Sequence, residues 1–361
     1  MGKKIKVAIA GLGNCASSLV QGIEYYKNAN PNETIPGLMH VNFGGYHVSD
    51  LEFVGAFEVN ERKIGKKISD AIWEHPNCTP KFSDVPEIDG MVYAGPVEDG
   101  VAPHMVDSFH RYDENIKPVD IAETLKEIGA EILVNFMPVG SERASRAYAQ
   151  GCLDAGIAFA NGMPTFICSD PEGVWPKKFE EKGIPVAGDD IKSQLGATIL
   201  HRTIAQLALD RGIVLENTYQ LNIGGNTDFE NMKFEDRLMT KRISKTQAVT
   251  SLIPYDVPTR IGPSDYVPFL KDNKICYLFA RGRKFGDQPV TIEAKLSVID
   301  SPNSAGVMID VIRALKIALD RKIAGPLISA SSYFFKHPPE QYPDSVCKQM
   351  VEDFIQGKRD R

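Results

Sequence analysis

Lys241 and Lys245 stand four residues apart in the stretch 221–250, LNIGGNTDFENMKFEDRLMTKRISKTQAVT, which also holds a glycine pair and several amides but lacks the apolar stripe of a packed helix. On a helix the two ammonium groups share a face and repel by a few tenths of a kcal/mol, a cost that an anionic ligand would relieve. A solvated basic face is the plainer alternative. A second group able to do chemistry opens the chain. The Val- and Ile-rich run 4–10 leads into Gly11-Leu12-Gly13-Asn14-Cys15-Ala16, and residues 14–26 then carry apolar side chains at helical spacing. Strand, glycine turn and helix together form a dinucleotide fingerprint: Gly11 permits the turn, Gly13 admits a pyrophosphate to the helix N-terminus, and Ala16 takes the third glycine position. Gly11, Gly13, Asn14, Cys15 and Ala16 are therefore candidate cofactor contacts, with Cys15 a small packing residue rather than a nucleophile. The acidic ribose partner, about 20 residues further on in a standard unit, is displaced by an insertion near 28–50 and falls on Glu58, after the strand 53–57. An acid there repels a 2′-phosphate, which favours NAD over NADP, although Arg62 and Lys63 stand close by.

The elements that must position these groups alternate in type. Strand-like runs at 91–93, 132–136, 157–161 and 184–188 are interleaved with helical patterns at 64–73 and 142–155, as in a doubly wound parallel α/β sheet. Ligands of such sheets bind beyond the carboxyl ends of the strands, which places Gly140, Ser141, Asn161, Asp189 and Asp190 on the cofactor rim. Ser193 or one of the aspartates is placed to cap a helix over 197–211. From residue 216 the pattern changes to the strands 218–223, 277–280 and 290–298, a second sheet with one covered face. After DSPNSAG at 300–306, a helix to about residue 320 and the run GPLISAS return to the first unit. The division expected is a Rossmann-like domain over 1–200, a second α+β sheet domain over 201–300 and a returning segment over 301–361.

A chain of 361 residues is long for a single core, and its formal charge of −6 argues against a nucleic-acid or membrane-surface role. No apolar run reaches the roughly 18 residues needed to span a bilayer, and MGKKIKVAIAGLG enters a strand without the form of a signal peptide. A cytoplasmic protein is expected. The six cysteines are scattered, which implies free thiols, and the seven histidines form no ligand pair for a transition metal.

Six motifs in order, GLGNCASSL, GDDIKSQLGAT, LNIGGNTDF, KRISKTQAV, DSPNSAG and YFFKHPPEQ, closely resemble those of the myo-inositol-1-phosphate synthases, in particular the shorter bacterial and archaeal branch, over essentially the whole chain. The resemblance implies an NAD-binding Rossmann domain, a second sheet domain used for catalysis and for building a homotetramer, and conversion of D-glucose 6-phosphate to 1D-myo-inositol 3-phosphate. The family oxidises C5, enolises at C6, closes the ring onto C1 and reduces the ketone again, with no net redox. Matching motifs carry over Lys241, Lys245, Lys274 and Lys336 as catalytic lysines. Lys336 lies beside aromatics that could desolvate it toward use as a base, or it snorkels at the surface. Asp190 or Asp189, Asp228 and Asp300 are the matching acids, able to orient lysines, hold a divalent cation or touch the nicotinamide. The cofactor set gains Asp70, Tyr148, Ser193, Asp228 and Lys241 in the same way. The loop GLGNCAS departs from the longer loop of the eukaryotic branch, and metal use varies across the family, so no metal ligand is assigned. Two rivals differ in outcome: an NAD-dependent dehydrogenase of a phosphorylated hydroxy substrate would release NADH, and a dinucleotide-binding sensor would turn nothing over.

Overall fold

The computed structural model of the chain describes residues 4–113 and 115–361. It opens with β1 (Ile5–Ala10), whose apolar residues are all buried, and α1 (Asn14–Tyr25). The segment expected as an insertion holds a two-stranded hairpin, β2 (Asn42–Phe43) and β3 (Tyr46–His47), before β4 (Leu51–Glu58). The helix expected over 64–73 shrinks to α2 (Ile68–Ala71). The backbone there bonds sideways instead: Gly65 N donates to Val92 O and Val92 N to Lys66 O, so the segment pairs with the edge of β5 (Met91–Ala94). Then follow α3 (Ile121–Glu127), β6 (Ile132–Asn135), α4 (Glu142–Ala155), β7 (Ala158–Asn161), α5 (Val174–Lys182), β8 (Pro185–Ala187) and α6 (Ala197–Asp210).

The second half continues with β9 (Val214–Gly224), α7 (Thr227–Asn231), α8 (Met239–Thr250), β10 (Thr259–Tyr266), β11 (Asn273–Lys284) and β12 (Gln288–Ile299). It closes with α9 (Asp300–Asp320), β13 (Gly325–Pro326), α10 (Ile328–Phe334) and α11 (Asp344–Ile355). Sequence reading passed over β10, whose Gly262-Pro263 interrupts any strand pattern; Pro263 is tolerated because β10 is an edge strand with an irregular register there. Helix α9 begins at Asp300, earlier than expected, with Pro302 inside its first turn, where no intrahelical donor is lost.

Seven parallel strands form one sheet in the order β13-β8-β7-β6-β1-β4-β5. The strand order reverses between β1 and β6, and that switch point is where such sheets open a ligand crevice. Helices α1 and α9 cover one face, while α4 and α5 pack on the other around Phe159, Phe179 and Tyr148. The second sheet, β10-β9-β11-β12, is covered on one face by α6 and α8 around Leu278, Ala280, Ala205 and Val249. Its other face exposes Tyr219, Leu221 and Tyr277. No helix among the described residues is long and apolar enough to cross a membrane.

Candidate active site

The glycine turn after β1 is built as the fingerprint requires. Gly11 has φ +87°, and a Cβ there would lie 2.7 Å from Phe136 O, so only glycine fits against the chain leaving β6. A Cβ on Gly13 would meet nothing within 4 Å, because that part of the turn faces open space. No side chain caps α1, which leaves its first N–H groups to a ligand. The loop is held in place from behind. Asn14 Oδ1 accepts from Cys78 N and Thr79 N at 2.6 and 3.1 Å. Glu58 Oε1 accepts from Leu12 N at 3.0 Å, and Oε2 accepts from Val59 N and Asn60 N. The buried ammonium of Lys63 lies 3.4 Å from Glu58 Oε1 and donates to Leu12 O and Asn77 Oδ1. The acceptor capacity of Glu58 is thus filled within the protein, and Lys63 offsets the charge that was expected to repel a 2′-phosphate.

The loop opens into a cavity of about 1650 Å³, mouth included. Its wall joins the glycine turn to the lysine cluster, so one cavity brings the two candidate ligand sites together. Gly11, Gly13, Asn14, Cys15, Glu58 and Ser141 line one part of it, and Ser193, Asp228, Asp300, Lys241, Lys245, Lys274 and Lys336 line the rest. The four lysines arrive from three elements. Helix α8 buries Lys241, Ser244, Lys245 and Ala248, spaced as one face, so the side that normally carries apolar residues carries the site. Lys274 starts β11, and Lys336 follows α10.

Asp190 ties them together. Its backbone is left-handed, φ +61°, and its fully buried carboxylate accepts from Lys241 Nζ and Lys336 Nζ, each at 2.9 Å, and from Ser244 Oγ. Burial alone would raise this carboxyl, but the two ammonium groups and Ser244 hold it well below the usual range. Burial would likewise lower Lys241, yet Asp190, Asp228 and Asp300 outweigh it and keep that ammonium above its ordinary value. The neighbouring amines go the other way. Burial, with help from Lys241 and Lys274, pushes Lys336 down to about 8 against the pull of Asp190. Burial and then Lys274, Lys241 and Lys336 push Lys245 well below the normal lysine range. Lys274 pairs with Asp300 at 3.0 Å, which holds the Asp300 carboxyl low despite burial. Burial and three acids push the Cys15 thiol up to about 12, which leaves it protonated and unsuited to nucleophilic attack.

Other residues expected at the cofactor lie off the cavity wall. Asp189 points to the opposite side of the chain from Asp190 and accepts from Ile167 N, Cys168 N, Ser169 N and Asn161 Nδ2, anchoring the loop after β7. Burial raises it to about 6. Tyr148 is packed in the core against Phe57, its hydroxyl unpaired. Asp70 is exposed on α2, whose Ile68 and Ala71 take the inward face. Ala16 is buried in α1, and Gly140, with φ +85°, is walled off by Arg237, whose side chain would stand 2.6 Å from a Cβ. Neither Ser193 nor an aspartate caps α6; Gly196 does, without a side-chain bond. Sequence reading missed Ser244, inside KRISK, and also Gln220 and Asn222, which reach the site from β9. The signal for that pair was a polar residue at every second position, 218, 220 and 222, alternating with Tyr219, Leu221 and Ile223. Among the described residues no three His, Cys, Asp or Glu side chains converge as a metal site, and Asp190 and Asp300 are engaged by lysines. This donor set does not fit a divalent cation.

The model of the myo-inositol-1-phosphate synthase family matches residues 196–301, which span α6 to the start of α9. Inositol-3-phosphate synthase of Mycolicibacterium smegmatis is 53% identical over 361 residues, with 98% of each chain covered. The enzyme of that name from Corynebacterium glutamicum is 52% identical over 359 residues, covering 97% of this chain and 98% of its own. The fold is shared with the crystal structure of inositol-3-phosphate synthase from Caenorhabditis elegans, at a TM-score of 0.77 and 16% identity over 98% of this chain and 86% of that one. With a lysine cluster, a glycine turn and full-length relatives at this identity, the chain belongs to the myo-inositol-1-phosphate synthase family.

Proposed function

We propose that the protein is an inositol-3-phosphate synthase, converting D-glucose 6-phosphate to 1D-myo-inositol 3-phosphate with NAD and no net redox. One observation carries the reading: a single cavity holds an ammonium kept charged, Lys241, beside two amines pushed toward neutrality, Lys245 and Lys336. The reaction needs both kinds, because protons must leave the C5 hydroxyl and C6 while oxyanions develop at C5 and C1. The Gly11–Gly13 turn and the uncapped N-terminus of α1 would hold the pyrophosphate of NAD, which when bound would supply the hydride acceptor and donor that the two redox steps require. Lys245 and Lys336 accept the protons. Lys241, held by Asp190, donates to the oxyanions.

The substrate phosphate has a separate seat. A small void beside the main cavity is lined by Gly196, Ala197, Thr198, Lys245, Lys274 and Lys336, among others. The first intrahelical bond of α6 runs from Leu200 N to Gly196 O, which leaves the N–H groups of Ala197, Thr198 and Ile199 for an anion. The exposed Tyr219, Leu221 and Tyr277 on the outer face of the second sheet support assembly into a homotetramer. Six unpaired cysteines fit a reducing compartment, the cytoplasm.

The test is incubation of glucose 6-phosphate with NAD at a small fraction of the sugar concentration. Inositol monophosphate should exceed the NAD supplied, with no build-up of NADH absorbance. NADH accumulating in step with sugar consumed would replace this reading with a net dehydrogenase.

A further inference from the structure

On β9 the residues facing the covered side are polar: Thr218, Gln220 and Asn222 are 3%, 1% and 0% exposed. With His201 of α6 they form a chain of side chains strung between two backbone carbonyls. Asn222 Nδ2 donates to Gly262 O at 2.8 Å, and Gln220 Nε2 donates to Asn222 Oδ1 at 3.2 Å. Gln220 Oε1 then lies 3.3 Å from His201 Nδ1, and His201 Nε2 lies 2.8 Å from Thr218 Oγ1, which donates to Phe279 O at 2.6 Å.

Counting protons exposes a shortage. Both ends of the chain are acceptors, so the two amides turn their nitrogens toward Gly262 and their oxygens away from it, and the hydroxyl spends its only proton on Phe279. Gln220 Oε1 and Thr218 Oγ1 therefore both call on the imidazole for an N–H. Burial pushes His201 down to about 4, so at neutral pH it carries one proton and one link is unmade. The proton is shared between two tautomers, one serving Gln220 and the other Thr218. With Nδ1 bare, the Gln220 amide gains by turning over to offer Nε2 to the ring. That turn sets Oε1 against Asn222 Oδ1 and places an acceptor on the wall of the void that Lys245, Lys274 and Lys336 share. An anion is then opposed.

We propose that His201 is a positioning residue for the phosphate seat: by donating from Nδ1 to Gln220 it keeps the amide nitrogen of Gln220, rather than its oxygen, toward the phosphate. The inference rests on reading the void as that seat. His201 itself does not line the void; it acts through Gln220 and Asn222, which do. Thr218 is its competitor, because the hydroxyl draws the ring proton to Nε2.

Two variants pull in opposite directions. His201→Phe removes the donor and should raise the KM for glucose 6-phosphate and the inhibition constant of inorganic phosphate together, by about tenfold, the upper range for one hydrogen bond, with kcat and NAD affinity held within about threefold. Thr218→Val removes the competitor, frees the proton for Nδ1, and should lower both constants by about threefold, toward the lower end of that range. A packing role predicts that both variants weaken phosphate binding or leave it alone. Unchanged constants in His201→Phe, or unchanged or raised constants in Thr218→Val, overturn the proposal, and the second variant decides alone if the first does not fold. A wild-type protein that fails to turn over glucose 6-phosphate would overturn the functional reading instead.

Discussion

Lys245 is a buried amine whose charged neighbours are Lys274, Lys241, Lys336 and Asp190, three of them of its own sign. Its removal relieves repulsion, so the fold should not suffer. Lys245→Ala should cut turnover at least about a hundredfold, the scale for loss of one preorganised group at a reacting centre, with melting temperature and NAD affinity near those of the wild type. Near-normal turnover would mean that the proton passes elsewhere. The lysines were legible because motif and chemistry agreed on them. The acids were not equally so: Asp189 and Asp190 are adjacent and chemically identical, yet one anchors a loop and the other holds two lysines. What separates them is the left-handed backbone at Asp190, a property of the path of the chain that composition does not encode. Tyr148 and Asp70 show the same limit, since helix rotation decides whether a side chain meets the cavity, the core or water.

Among elements, regular ones were readable and sideways-bonded ones were not. Helix α4 announces itself by period and by the glycine that ends it, whereas 64–73 keeps a helical pattern but bonds to a strand edge. The segment 28–50 read as a bare insertion, and its role emerges only in three dimensions. His40 Nδ1 lies 2.6 Å from Asp310 on α9, and Nε2 lies 3.1 Å from Glu352 on α11, so one ring clasps two helices. Burial would lower this imidazole, but the two carboxylates raise it above its ordinary value. A raised folded value means that the clasp contributes fully below the unfolded pKa of about 6.5 and fades as pH rises through the folded one. The difference in melting temperature between wild type and His40→Gln should be largest near pH 6 and close toward pH 9. A gap that does not change with pH would show that the ring only fills space.

At the scale of the molecule, the doubly wound class followed from alternating strands and helices, and the second sheet from its change of period, but the use of that sheet's two faces was hidden. Tyr219, Leu221 and Tyr277 are 39%, 40% and 41% exposed, and Tyr219 stacks on Phe279 with ring centroids 5.0 Å apart. We assign this exposed patch to the interface of the proposed homotetramer. Leu221→Lys combined with Tyr277→Glu should leave smaller species in sedimentation velocity; a double variant that sediments like the wild type would place the contact elsewhere. The polar residues of the site and the apolar residues of this face alternate along β9, one peptide apart. Since a slip by one residue exchanges the two sides of a strand, a single inserted or deleted codon in the part of the gene encoding 217–223 would turn both surfaces inside out at once. In a scan of coding changes, one-residue insertions and deletions in this stretch should therefore be more damaging than single replacements at the same positions.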